Sequence, residues 1–261
     1  MTNQNQTKNC LIFEDFSFRH DKNGKNLINP LNFKLCNTEL LFVIGPSGQG
    51  KSSFFLSILQ NIFVSGKLIW QEQNLLEQNK KNKKNFLKTV GYLTQTPTSI
   101  NFQSVYLNLA KNLPKYKNIF YSLFAIPTKN QREQIIKIMS QLGLEEKIYS
   151  IFQDLSGGQQ QRVEIAKLML HHPKIILADE PTSALDPKTA AKIIDLIINF
   201  GKLNNSITII ISHNINLVKK YDGRILLINN GNANFFNSFS DIDQEQIDSI
   251  FGKDDNEDDD H

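Results

Sequence analysis

The chain has 261 residues, 40% of them apolar, which is enough to bury one large core. A formal net charge of +3 with 21% charged residues excludes a disordered polyelectrolyte, and no run of about 18 apolar residues is present to span a bilayer as a helix. The opening MTNQNQTKNC lacks the apolar stretch of a secretion signal, so the chain is expected to stay in the cytosol.

Near the start, Phe13, Phe16 and Phe18 stand at close to alternate positions, which predicts strands of an antiparallel layer. Cys10 and Cys36 fit no metal-ligand spacing and, with no secretory route, are expected to be reduced and structural. The run LLFVI at 40–44, ending in glycine, predicts a strand buried on both faces of a parallel sheet. A helix follows it, with Phe55, Ile58, Leu59 and Ile62 on its packed face. Lys80, Lys81, Lys83, Lys84 and Lys88 read as a solvated helix face or loop, because no aromatic residue alternates with them; no nucleic-acid partner is expected. Residues 96–154 change texture, with helical spacing at Ile135, Ile138, Met139 and Leu142, and predict a mostly helical lobe. Further buried strands are predicted at 175–178 and 207–211, joined by a helix that starts at Asp186-Pro187 and carries Ile193, Ile194, Ile197 and Ile198. Strand, helix, strand implies a parallel sheet. Asn229-Asn230-Gly231 between 224–228 and 232–236 predicts a hairpin, and the six acids within 254–260 predict a solvated, mobile tail.

Three segments carry chemistry. Residues 45–53 read GPSGQGKSS: Gly45, Gly48 and Gly50 let backbone N–H groups converge on phosphates, with Pro46, Ser47, Gln49 and Ser53 completing the turn into a helix whose positive end adds to the attraction. Lys51 brings a full charge to the terminal phosphates, and Ser52 offers a hydroxyl to Mg²⁺. At the end of the 175–178 strand, Asp179 and Glu180 are expected to point to opposite sides, one toward the metal and the other toward the attacking water. Leu155, Ser156, Gly157, Gly158 and Gln159 open a second helix with a hydroxyl and flexible backbone. That segment is either a plain cap or a second phosphate receptor. One chain with one lysine-bearing loop does not need two receptors, so the second is expected to serve an ATP held by another copy.

With these motifs in place, the chain resembles the ATP-binding cassette (ABC) subunits of membrane transporters over nearly its whole length. The resemblance implies an α/β fold of the P-loop NTPase type, with a RecA-like parallel-sheet core, an antiparallel β layer and an inserted helical subdomain. It assigns 45–52 to the Walker A loop, 155–159 to the signature motif, 175–179 to Walker B and Glu180 to the catalytic glutamate. It also assigns Ser183, Ala184, Leu185 and Asp186 to the loop that communicates between subunits, Gln95 to the lid glutamine near metal and water, and His213 to the switch histidine. His20 falls where an aromatic residue usually stacks on adenine. Thr38-Glu39 and Asn214 depart from the usual Gly-Glu and acidic residue without removing a phosphate or metal ligand.

The implied layout is one ATPase domain: 1–95 with 155–240 as nucleotide-binding core, 96–154 as helical subdomain, and 241–261 as a C-terminal segment. The implied function is ATP hydrolysis, with Mg²⁺, on the cytoplasmic face of the membrane. The implied partners are a second copy, permease subunits and an external solute-binding protein. Residues 116–132, with SLFAIPTKNQR, are similar to the extension of phosphonate-importer ATPases, so a phosphonate or related oxyanion is the expected cargo. The same motifs serve methionine and amino-acid importers, exporters and lipoprotein-release systems. Soluble cassette proteins acting on DNA or ribosomes usually carry two cassettes or a long coiled coil, and this sequence has neither.

Overall fold

The computed structural model describes residues 9–113, 126–183 and 185–251. The acidic tail, Ala184 and most of the 116–132 extension lie outside them. The strands are β1 (Cys10–Arg19), β2 (Leu31–Cys36), β3 (Leu40–Ile44), β4 (Phe63–Trp70), β5 (Gln73–Asn74), β6 (Val90–Leu93), β7 (Ile175–Asp179), β8 (Ile207–Ile211), β9 (Arg224–Asn229) and β10 (Asn232–Phe236). The helices are α1 (Lys51–Ile58), α2 (Lys80–Leu87), α3 (Val105–Lys111), α4 (Lys129–Gln141), α5 (Gly157–His171), α6 (Pro187–Leu203), α7 (Ile215–Val218) and α8 (Gln244–Phe251).

A six-stranded sheet runs in the order β10-β9-β3-β8-β7-β6, parallel throughout except for the β9–β10 hairpin. Every residue of β3, β7 and β8 is buried, which is why these strands read as unbroken apolar runs. Their alternating side chains feed two separate cores. Phe42, Ile44, Ile176, Ala178 and Ile210 face the side covered by α5 and α6, with α4 packed on α5. Leu41, Val43, Leu177, Ile209 and Ile211 face α1 and the antiparallel sheet β2-β1-β4-β5.

The near-alternate phenylalanines of β1 are explained by a bulge. The register slips between Phe13 and Phe16, Asp15 adopts φ 46°, and Gly66 on β4 accommodates it where a Cβ would lie 2.2 Å from the Asp15 carbonyl oxygen. Phe13, Phe16 and Phe18 consequently all point inward, and Phe54 of α1 packs among them and Phe33. Each buried ring is worth about 1.5–3 kcal/mol, and this cluster seats α1 at the end of β3.

Two expectations are corrected. Cys10 and Cys36 form a disulfide, because β1 and β2 are antiparallel neighbours whose register sets the two residues directly opposite each other; sequence spacing does not reveal that pairing. The first helix ends at Ile58 and not beyond Ile62. Gln60 turns left-handed at φ 55°, with Asn61 N–H on the Leu56 carbonyl and Gln60 N–H on that of Ser57, a Schellman stop. Three local readings hold: Asp186 caps α6, Asn230 (φ 49°) and Gly231 (φ 76°) form the hairpin turn, and Ile135, Ile138, Met139 and Leu142 are buried. The basic cluster lies mostly on α2, with Lys80, Lys81, Lys84 and Lys88 exposed and Phe86 turned inward against Trp70.

Candidate active site

The loop between β3 and α1 is shaped by glycine. Gly45 (φ 144°) passes so close to β9 that a Cβ would sit 2.0 Å from the Ile228 carbonyl oxygen, and Gly50 (φ 97°) starts α1 with no side-chain cap. The uncapped N–H groups of the first turn of α1, where Ser52 is exposed, are left available to an anion. Lys51 Nζ folds back onto the carbonyls of Gly45 (2.8 Å) and Pro46 (2.7 Å). Burial pushes its pKa below the ordinary lysine value, partly offset by the nearby charges of Glu180 and Asp179. Gln49, read as a nucleotide contact, has its side-chain oxygen on Asn230 N–H at 2.8 Å, latching the loop to the β9–β10 turn.

Asp179 ends β7 beside this loop. Ser52 Oγ donates to its Oδ1 (3.3 Å) and Tyr92 Oη, from edge strand β6, to its Oδ2 (3.2 Å). Burial is the largest influence on Asp179 and raises its pKa, against the hydrogen bonds from Ser52 and Tyr92. Burial, with the Asp179 charge, pushes the Tyr92 phenol up to about 12. Glu180 is not placed by strand alternation as expected. It has left the strand, at φ 46°, and its N–H bonds the Ile211 carbonyl. There its two oxygens meet different partners: His213 Nε2 on Oε1, and Gln95 Nε2 on Oε2 at 3.2 Å. Gln95 therefore touches the glutamate and not Asp179.

Lys51, Ser52, Glu180 and His213 border one cavity of about 250 Å³, lined also by His20, Leu27, Ser47 and the loop residues 48, 50 and 53, whereas Asp179, Tyr92 and Gln95 do not line it. His20 Nε2 lies 3.4 Å from Ser53 Oγ. No residue of 155–159 lines the cavity. Ser156 instead caps α5 in a capping box, accepting from Gln159 N–H while the Gln159 side chain accepts from Ser156 N–H. Leu155 is core, whereas Ser156 and Gly157 are exposed. Leu185 closes on this helix start, with its Cδ2 3.1 Å from where a Gly158 Cβ would be. Ser183 N–H bonds the Glu180 carbonyl (3.3 Å), and Asp186 accepts from Lys188 and Thr189 N–H.

The sequence pattern of the ABC transporter family matches residues 28–183. The chain belongs to that family. This ABC ATPase is 43% identical over 247 residues to the probable ABC transporter ATP-binding protein p29 of Mesomycoplasma hyorhinis, covering 94% of this chain and 98% of the relative. It is 33% identical over 240 residues to the phosphonates import ATP-binding protein PhnC of Mesoplasma florum, covering 88% and 95% of the two chains. Its backbone overlays a dimeric, post-hydrolysis ATP-binding cassette bound to ADP and Pi with a TM-score of 0.72, over 85% of this chain and 96% of that one, at 23% identity. The parallel and antiparallel sheets of this ABC ATPase are those of the P-loop cassette, and its substrate is ATP. Among the described residues, no helix of the ABC ATPase is long and apolar enough to cross a membrane.

Sequence reasoning missed Tyr92, Leu27 and the Asn230 contact to Gln49. Tyr92 is the one with a visible signal, standing three residues before Gln95 at the edge of the sheet.

Proposed function

We propose that the chain is the ATP-hydrolysing subunit of a membrane importer and works as a pair of copies that clasp nucleotide between them. One observation carries this reading: the cavity is one-sided, holding Lys51, Ser52, Glu180 and His213 but nothing from 155–159, whose helix start is exposed. An exposed hydroxyl at a glycine-rich helix N-terminus is a receptor for phosphate without a phosphate donor in its own chain. A second copy supplies the donor, as the dimeric form of the structural relative suggests.

In this reading the 45–53 loop and the first turn of α1 grip the phosphates, and Lys51 moves from the Gly45 and Pro46 carbonyls to the terminal phosphate. The oxygen donors of Ser52 and Asp179 fit Mg²⁺, a hard cation that binds through few carboxylates plus phosphate, with Gln95 close by. The metal, when bound, neutralises charge on the phosphates. Glu180 polarises and orients water, held on one oxygen by His213 and on the other by Gln95. His20 and Leu27 border the base end of the cavity. Ser183, on the Glu180 carbonyl, and Leu185, against Gly158, link the carboxylate to the helix start that meets the other copy.

Permease subunits dock on the helical lobe, where Ile100, Phe102, Leu107 and Tyr149 are exposed together with the half-buried Tyr106 that packs on Tyr149. The chain then sits at the cytoplasmic face of the membrane, served by an external solute-binding protein. The cargo is a phosphonate or a related oxyanion, on the strength of 33% identity to the Mesoplasma florum phosphonate-import protein.

The test is to isolate the chain with its membrane subunits in lipid nanodiscs and follow ATP hydrolysis as binding protein loaded with 2-aminoethylphosphonate, methionine or nothing is added. Stimulation by the phosphonate-loaded protein alone is expected. Stimulation by methionine would reassign the cargo, and absence of any permease in the isolated complex would remove the transport reading.

A further inference from the structure

Seven residues into α5 from its first glycine, and again three residues later, charged side chains turn inward. Glu164 is 6% exposed and the Lys167 side chain 12%, on a helix face otherwise packed with Val163, Ala166 and Leu168. Both carboxylate oxygens of Glu164 are used. Oε1 accepts from Ser99 N–H (3.0 Å), Ser99 Oγ (2.5 Å) and Lys167 Nζ (3.3 Å); Oε2 accepts from Thr98 Oγ1 (2.8 Å) and Lys167 Nζ (3.0 Å). Lys167 Nζ also donates to Thr98 Oγ1 (2.7 Å) and Ser99 Oγ (3.4 Å).

A buried ion pair adds little to stability compared with apolar residues of equal volume. What it supplies here is direction, since every partner outside α5 belongs to two consecutive residues, Thr98 and Ser99. Those residues follow Gln95 after only Thr96 and Pro97, a stretch stiffened by the proline ring and by Thr94 Oγ1 on the Thr96 carbonyl (2.7 Å). At one end of the stretch Gln95 holds Glu180. At the other end, the clamped helix begins at Ser156, eight residues and about 12 Å from Glu164 at 1.5 Å per residue. The seat of α5 on the sheet is tight: a Cβ on Gly91 of β6 would lie 2.3 Å from Leu168 Cδ1.

We infer that Glu164 and Lys167 are positioning residues for ATP hydrolysis: their clamp on Thr98 and Ser99 fixes Gln95 relative to the Ser156 end of α5. Occupation of one copy's cavity, sensed at Glu180 through Gln95, then sets the position of the helix start offered to the other copy's nucleotide. The last step rests on the two-copy reading above; the clamp itself does not.

Full-length Glu164→Gln is compared with Thr98→Val/Ser99→Ala, which strips the hydroxyls while leaving α5 intact. The first measurement is binding of a fluorescent ATP analogue to the monomer, expected within twofold of the parent. The second is kcat at saturating ATP, expected to fall at least tenfold. The third, in a Glu180→Gln background, is the ATP concentration at half-maximal dimerisation, expected to rise at least tenfold. A dimerisation midpoint and kcat within twofold of the parent in both variants overturn the clamp, as does a loss of monomer ATP affinity that matches the loss of kcat. If Glu164→Gln fails to fold by thermal melt, the Thr98→Val/Ser99→Ala protein decides. If the Glu180→Gln parent never dimerises, the two-copy reading falls, and an undiminished kcat in the clamp variants alone overturns the inference.

Discussion

Tyr92 holds one oxygen of Asp179 while Ser52 holds the other, so that the carboxylate at the end of β7 is oriented from two elements at once. The phenol is itself fixed edge-on against Phe55 of α1, at 6.0 Å between ring centroids. Removing the hydroxyl leaves the ring packing and frees Asp179 to rotate. Tyr92→Phe is expected to raise the Mg²⁺ concentration for half-maximal hydrolysis about fivefold, the equivalent of one hydrogen bond of about 1 kcal/mol. An ATP-binding titration run with and without Mg²⁺ checks it: affinity without metal should not change.

Lys51 is buried, yet its amine bonds only backbone carbonyls of its own loop. Lys51→Ala is expected to weaken ATP binding by about 10- to 100-fold, the scale of one charge-assisted contact of roughly 1.5–3 kcal/mol. Isothermal titration measures this, and turnover equal to the parent's would contradict the role given to the lysine.

Ser156 caps α5 and is exposed beyond that duty. Ser156→Arg loses the cap at a cost of about 1 kcal/mol and places a long side chain at the helix start. Monomer ATP affinity is expected to stay as it was while hydrolysis is abolished. Unchanged hydrolysis would reduce the segment to a cap.

Glu164 gives a pH dependence of known sign. Burial works to raise its pKa, but the Lys167 charge and the bonds from Ser99, Lys167 and Thr98 outweigh it and hold the carboxyl below its ordinary 4.5. The folded protein therefore binds this proton less readily than the unfolded chain. Its stabilisation is complete above 4.5 and is lost as pH falls through the lower folded-state value. Glu164→Gln is expected to be less stable than the parent at pH 7 by about 3 kcal/mol, with the gap narrowing below 4.5. Urea unfolding at both pH values tests this; a gap that widens in acid would refute it.

The parallel core was readable because β3, β7 and β8 are buried on both faces, so their sequences carry no polar interruption. The loop at 45–53 was readable because glycine, lysine and hydroxyl must stand at fixed offsets to meet a phosphate. β4 was not, since most of FVSGKLIW is exposed or half-buried and its glycine answers to a bulge on another strand. Tyr92, Glu164 and Lys167 escaped notice for a related reason. Each owes its role to partners far along the chain, such as Asp179 for Tyr92 and Ser99 for Glu164, and short-range periodicity contains no trace of such pairs. The Cys10–Cys36 bond is the same case, fixed by strand register.

The central sheet sends the side chains that seat the 45–53 loop and α1 into one core and those that seat α5 into the other. Defects in the two halves are thus separable between molecules. A Lys51→Ala copy retains a sound α5, and a Ser156→Arg copy retains a sound loop. On the two-copy reading, two inactive populations mixed together should complement each other, because a hybrid pair would contain one intact composite centre beside one that is doubly broken.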